Sequence, residues 1–173
     1  ANPYRRRHRP TRMTHPRLSR MHRRSLALIA AITFPGPAAA WVDELIEAPG
    51  RHWLVLSGAS HHFQPERRDW RETNPGVGIE KAFTGTPWVA TAGYFRNSYD
   101  RNTFYAGARW MPLALGPVRL GAFGLIASGY PSPVLVLPAA SVQAGRVGVN
   151  LVAIPNLPGY SGYLGLQLRF AVD

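Results

Sequence analysis

The run that most constrains the fold is the last one. In "GYLGLQLRF", residues 162–170, Leu164, Leu166, Leu168 and Phe170 alternate with Tyr163, Gly165, Gln167 and Arg169. Successive side chains of a β-strand point to opposite faces. One face of this run is therefore wholly aliphatic or aromatic, and the other is mixed and polar. A strand that meets lipid on one side and a barrel interior on the other needs that division.

After Gly50 the chain shows no helical periodicity, only short runs punctuated by Gly, Pro, Asn and Asp. Eight such runs are read: 51–63, 76–83, 88–96, 103–111, 118–130, 134–142, 146–155 and 162–170. Most are long for a globular strand, typically about 5–6 residues, and match the ~9–11 residues of a tilted transmembrane strand. An even number of strands, turns as short as Gln143-Ala144-Gly145, and tyrosines and tryptophans near run ends predict an all-β fold. The expected architecture is an eight-stranded antiparallel up-and-down transmembrane barrel. A soluble β-sandwich or lipocalin-like barrel is the competing reading. An eight-stranded barrel is wide enough only for side chains or one slender ligand. Function is then expected from a rim site, a ligand in the lumen, or anchoring alone.

The net charge of +11 suggests a nucleic-acid partner, but nine arginines lie within residues 1–24. Of 20 basic residues, that leaves 11 against all 9 acidic ones, so the rest of the chain is nearly neutral. The basic stretch leads into "MHRRSLALIAAITFPGPAAAW": a charged start at Met21, a short apolar run to Phe34, a Pro-Gly-Pro break and Ala38-Ala39-Ala40. That is the pattern of a secretory signal peptide. Its apolar run is too short for a spanning helix, which needs roughly 20 residues. The expected organisation is an unstructured extension over 1–20, a signal peptide over 21–40, an amphipathic helix within 41–50 and a barrel over 51–173. Residues 1–40 are expected to form no part of the barrel, and no nucleic-acid partner is expected. In "WVDELIEA", residues 41–48, Trp41, Val42, Leu45 and Ile46 share one helical face, and Pro49-Gly50 ends the helix. The chain has no cysteine, which excludes disulfides and thiolate metal sites, and no cofactor or metal is expected.

Three polar elements could carry chemistry. "SHHF" places His61 and His62 at the far end of the first run, and "RNS" places Asn97 and Ser98 at the far end of the third. In an up-and-down barrel, strands one and three run parallel, so these ends share a rim. Histidine and serine are the materials of acyl transfer: the imidazole takes a hydroxyl proton, and the serine attacks or is positioned by it. The third element is proline inside strands. Pro138 interrupts "VLVLPAASV" and Pro155 ends "GVNLVAIP". Proline donates no ladder hydrogen bond, so it marks either a bulge or a lateral opening in the wall.

These residues resemble the PagP family, the outer-membrane lipid A palmitoyltransferases, from about Asn74 to Phe170. The matching stretches are "NPGVGIE", "YFRNS", "FYAGARW", "VRLGAFG", "PVLVLPAASV", "VAIP" and "YLGLQLRF". The helix before strand one is similar to the family's outside helix. The resemblance implies an acyltransferase of the bacterial outer membrane, expected as a monomer. It would move a fatty acyl chain from a phospholipid to lipid A, the chain lying in an apolar lumen entered between wall prolines. Carried over, the rim serine is Ser98 and the histidine is His62 or its neighbour His61, with His62 preferred. The lipid-access prolines are Pro75, Pro138 and Pro155; the family's proline in strand one has no counterpart. Two departures stand out. Asn97 replaces the family's Asp and can orient a hydroxyl but bears no charge. The small residue of the acyl-pocket floor falls on Arg109, whose alternation with Tyr105 and Gly107 points it inward, with Glu80 as the candidate partner. The alternatives are a non-catalytic barrel of the same fold, with a structural or lipid-binding role, and a lipid A deacylase, whose His-x-Ser pattern is absent from His61-His62-Phe63.

Overall fold

The computed structural model describes residues 43–63, 69–156 and 161–172. The expected extension, the signal peptide and Trp41-Val42 lie outside the described residues. Residues 43–47 are helical, and the Ala48 amide donates to the Glu44 carbonyl at 2.9 Å.

From Gly50 onward the chain forms eight strands: β1 (Gly50–His62), β2 (Thr73–Phe83), β3 (Trp88–Arg96), β4 (Asn102–Leu115), β5 (Val118–Ala127), β6 (Val134–Ala144), β7 (Val147–Ile154) and β8 (Tyr163–Ala171). Each pairs antiparallel with its sequence neighbour, and β8 returns to β1, closing the barrel. The turns at one end are tight, at 84–87, 116–117 and 145–146. The other end, called the rim below, carries the longer connections 63–72, 97–101, 128–133 and 155–162.

The alternation read in the last run holds. Leu164, Leu166 and Leu168 are exposed on the outer face, while Gly165 and Arg169 are buried. The same rule places large apolar side chains outside on other strands, from 38% exposed at Val142 to 74% at Val136. The core is the lumen, with Tyr105, Met111, Phe123, Leu125, Leu137 and Ala139 packed together. Not every aromatic lies outside. Trp88 and Trp110 pair on the outer face with ring centres 6.4 Å apart, but Trp53 and Tyr105 are buried.

Three strand boundaries differ from the sequence reading by three residues or more. β2 starts at Thr73 rather than Gly76, and β5 ends at Ala127 because the chain turns at Ser128-Gly129. β4 continues past Met111 to Leu115 through a bulge. Trp110 pairs with Ala122 and Leu113 with Leu120, so Met111 and Pro112 together oppose Gly121. Pro112 has no N–H to give the ladder, and a bulge absorbs that loss without ending the strand. A Cβ at Gly121 would run into the Trp110 carbonyl, so the bulge requires glycine there.

A second bulge decides which histidine faces the lumen. Along β1, Trp53 and Val55 point inward. The register shifts between Ser57 and Ala59, around Gly58. One extra residue reverses the parity of all that follows. Ser60 and His62 therefore point in, and His61 points out.

Candidate functional site

The lumen is divided into two layers. The layer next to the rim is a cavity of about 890 Å³. Its walls are Phe95, Leu125, Leu137, Val152 and Ile154, with Tyr130 above them. His62 and Ser98 line it on the rim side, from the end of β1 and from just beyond β3. His61, whose side chain is 62% exposed, does not line it.

His62 is held on two sides. Its ring stacks on Trp70 at 4.5 Å and 2° and meets Tyr163 of β8 at 5.1 Å. Trp70 meets Tyr99 edge-on at 5.3 Å, and Tyr99 meets Tyr130 at 5.7 Å. These rings carry an aromatic row from β1 across the cavity mouth. Above the strands, burial pushes the Tyr130 phenol well above its ordinary range, and the neighbouring Tyr163 and Tyr99 act the same way. The ring therefore acts as a neutral apolar wall.

Asn97 is not at this mouth. It is fully buried, and its side-chain amide is consumed by the turn. Its NH₂ donates to the Thr103 hydroxyl at 2.9 Å and to the Gly129 carbonyl at 3.1 Å. Its carbonyl oxygen accepts from the amides of Tyr99 and Arg101. The expected orienting role is corrected to a structural one, since no donor or acceptor is left for a reacting group. Beside it, Asp100 receives Arg71 at 2.9 Å and Arg96 at 3.0 Å. The Arg96 hydrogen bond leads, with Arg71 adding to it, in holding the Asp100 carboxyl below its usual range.

The wall prolines sit where ladders stop. The β6–β7 ladder runs from Ala144↔Val147 to Ala139↔Val152 and ends there. Pro138 is the next residue of β6, paired on its other side with Ala122 of β5. Ala153 and Ile154 of β7 pair only with β8 in this stretch. Leu135 and Leu137 on one side of the gap, and Val152 and Ile154 on the other, line the cavity. Pro155 follows β7 directly and is exposed. Pro75 lies just past the last β2–β3 pair, Gly76↔Phe95, and is exposed as well.

Below the cavity a layer of bonded polar groups crosses the lumen. Glu80 of β2 is fully buried and accepts from three sides. These are the Arg109 guanidinium of β4, the Asn150 amide of β7 at 2.8 Å and the Arg169 guanidinium of β8 at 3.4 Å. Ser141 of β6 donates to Asn150 at 3.0 Å, and Gln143 accepts from Arg169 at 3.2 Å. Arg109 also donates to Gln167 at 2.8 Å, and Gln167 donates to Ser57 at 3.1 Å. The two guanidiniums lie over Phe123 and Trp53 at 4.6 and 4.4 Å. The pairing of Arg109 with Glu80 is as the alternation suggested. The surface of the floor is Tyr105, Phe123 and Gln167, with Arg109 one layer beneath.

Sequence reasoning missed Trp70 and Glu72. Both lie beyond the end of β1 in the connection to β2, where no periodicity signals which way a side chain points.

No known family model and no curated protein matches the chain. Among solved structures it is similar to a de novo designed protein, TMB2.3, known from a solution NMR structure. That match has a TM-score of 0.49 at 12% identity, over 73% of this chain and 98% of that one. It is also similar to a structure from the de novo design of transmembrane β-barrels, with a TM-score of 0.43 at 10% identity over the same shares.

Proposed function

We propose that this chain is an outer-membrane acyltransferase of the PagP type, moving a fatty acyl chain from a phospholipid to lipid A. The observation that carries the reading is one apolar cavity with His62 and Ser98 at its mouth and a proline-bordered gap in its wall. The apolar outer face supports a membrane setting, because soluble monomers rarely expose such a continuous apolar band.

In the first half-reaction, His62 takes the Ser98 hydroxyl proton, and the serine oxygen attacks the phospholipid ester carbonyl. The bond from carbonyl carbon to glycerol oxygen breaks, and that oxygen takes the proton from His62. A lysophospholipid leaves and the acyl group stays on Ser98. In the second half, an acceptor hydroxyl of lipid A gives its proton to His62 and attacks the acyl-serine. The proton returns to Ser98. The acyl tail lies in the cavity throughout.

From Tyr163 to Gln167 the strand advances about 13 Å, or about 10 Å along the axis of a barrel tilted ~40°. Extended single bonds advance ~1.2 Å each, since a residue of three bonds spans at most ~3.6 Å. The described lumen then accommodates roughly eight to ten carbons below the rim, fewer than a palmitoyl chain has.

The test is mass spectrometry of lipid A from cells with and without the chain, and with His62→Ala and Ser98→Ala. Added acyl mass that depends on both residues is the expected result. Lipid A unchanged by the wild-type chain sinks the enzyme reading. A non-catalytic barrel of the same fold then stands, which the commitment of Asn97 to its turn favours.

A further inference from the structure

We infer that Glu72 is the carboxylate that positions the His62 imidazole, supplying beside the ring the charge that Asn97 does not bear. The inference rests on the acyl-transfer reading for its consequence, but its geometry is independent of it.

Three consecutive residues bracket the two rim groups. Trp70 stacks on the His62 ring. The Arg71 amide donates to the Ser98 carbonyl at 3.2 Å. Glu72 reaches back to His62: one carboxylate oxygen accepts the His62 backbone N–H at 2.8 Å and lies 3.8 Å from Nδ1 of the same residue. The segment is anchored as well. The Ser60 amide donates to the Glu72 carbonyl at 2.8 Å. The Ser60 hydroxyl donates to Asn74 at 2.6 Å, and the Asn74 amide donates to the Arg96 carbonyl at 3.0 Å. The run 70–74 thus ties the end of β1 to the end of β3.

His62 Nδ1 is buried and has no hydrogen-bond partner among the described residues. Its side chain is 5% exposed, so water does not readily replace one. The acidic group aimed at it is Glu72, and 3.8 Å closes to a hydrogen bond with a small rotation of the carboxylate. Catalytic hydrogen bonds are commonly long in a free site and tighten around the substrate. With Nδ1–H directed at Glu72, the other ring nitrogen is the basic one, free to take a hydroxyl proton. When it does, the carboxylate stabilises the imidazolium. The proton passes from the attacking hydroxyl to the imidazole and on to the departing glycerol oxygen, and Glu72 neither gains nor loses one.

His61 competes for the same carboxylate oxygen at 3.4 Å, but from outside the cavity. The titratable groups facing the His62 ring are Glu72, His61 on its own strand and Tyr163 of β8.

The experiment uses the full chain folded in phospholipid vesicles containing lipid A. Transfer is followed against pH for the wild type, Glu72→Gln, His61→Ala and His62→Ala. The amide introduced by Glu72→Gln keeps an oxygen for the His62 backbone N–H, so the rim stays folded. Glu72→Gln should lower kcat at least tenfold with KM within about threefold. It should also move the acid limb of the kcat/KM profile to lower pH, since losing a nearby carboxylate removes a charge that favours the imidazolium. His61→Ala should leave the profile in place. A Glu72→Gln profile that superposes on the wild type, with His62→Ala inactive, overturns the role of Glu72 and leaves the acyltransferase standing. If the wild type transfers nothing, the acyltransferase reading falls. Glu72 is then judged by the ¹⁵N shift of His62 Nδ1 alone: a change in Glu72→Gln supports the pairing, and no change overturns it.

Discussion

Glu80→Gln should be the most destabilising isosteric change in the barrel. The Glu80 carboxylate is fully buried between two guanidiniums whose side chains are 1% and 6% exposed, so water screens none of the three. Removing the charge leaves Arg109 and Arg169 facing each other across a neutral amide. Breaking one buried pair costs about 3–5 kcal/mol, because the surviving charge stays desolvated. Here one change strands two. Against a total stability of about 5–15 kcal/mol, that is a large fraction. With a urea slope of about 2 kcal/mol/M, the unfolding midpoint should fall by about 2 M. Arg109→Met should cost less, since Glu80 and Arg169 remain as a balanced pair. The double variant should cost less than the sum of the two singles. The assay is urea titration of the folded chain in vesicles, followed by tryptophan fluorescence and checked for reversibility. A Glu80→Gln midpoint within about 0.5 M of the wild type, a quarter of the expected shift, or a larger loss in Arg109→Met, refutes the reasoning.

Gln167→Ala removes part of the cavity floor, so the transferred chain should lengthen by about two carbons of ~1.2 Å each; lipid A mass spectra read it directly. Asn97→Asp replaces the NH₂ that donates to Gly129 by an oxygen facing that carbonyl. It should destabilise the rim turn by about 1–3 kcal/mol and should not raise activity, checked by urea titration and a transfer assay. Deleting Gly58 removes the extra residue of the β1 bulge and leaves the β1–β8 pairs on either side of it in one register, so His62 should stay inward and His61 outward; the exposure of each ring to a histidine-modifying reagent should be unchanged. Leu137→Cys with Ile154→Cys places two thiols across the β6–β7 gap of a chain that has no other cysteine. Oxidation should stop transfer from bilayer lipids and reduction restore it, whereas full activity with the disulfide formed would exclude the gap as the entry.

The outer face of the barrel was legible in the sequence because a strand with the lumen on one side and the outside of the barrel on the other alternates with a period of two, as in β8. The inward pairing of Arg109 with Glu80 followed from the same rule, since no bulge intervenes between Tyr105 and Arg109 on β4. Where a bulge does intervene, parity fails. Nothing in "WLVLSGASHHF" states that Gly58 is the extra residue, so the choice between His61 and His62 had to rest on resemblance. The end of β4 was missed for a related reason: Pro112 reads as a stop, yet Gly121 opposite it lets the strand bulge and continue. The turn-holding role of Asn97 and the place of Glu72 were missed because turns and loops are set by local hydrogen bonding. An Asn that satisfies two amides, a hydroxyl and a carbonyl looks, in sequence, like one that faces a substrate.

The two layers of the lumen also fix how sharply the cavity ends. Each further methylene buried by a tail gains about 0.8 kcal/mol. Just below Gln167 a tail meets a layer of groups already bonded to one another: Gln167 to Arg109, Arg109 to Glu80, Glu80 to Asn150 and Arg169. To pass, it must part at least one buried charge from its partner, at about 3–5 kcal/mol. Roughly four to six methylenes would have to enter together to offset that, and the layer offers them no apolar space. A floor of aliphatic side chains would yield by small rotamer changes and blur the limit. A floor of interlocked charges does not, so chain length should be cut off over about one or two carbons rather than fading gradually.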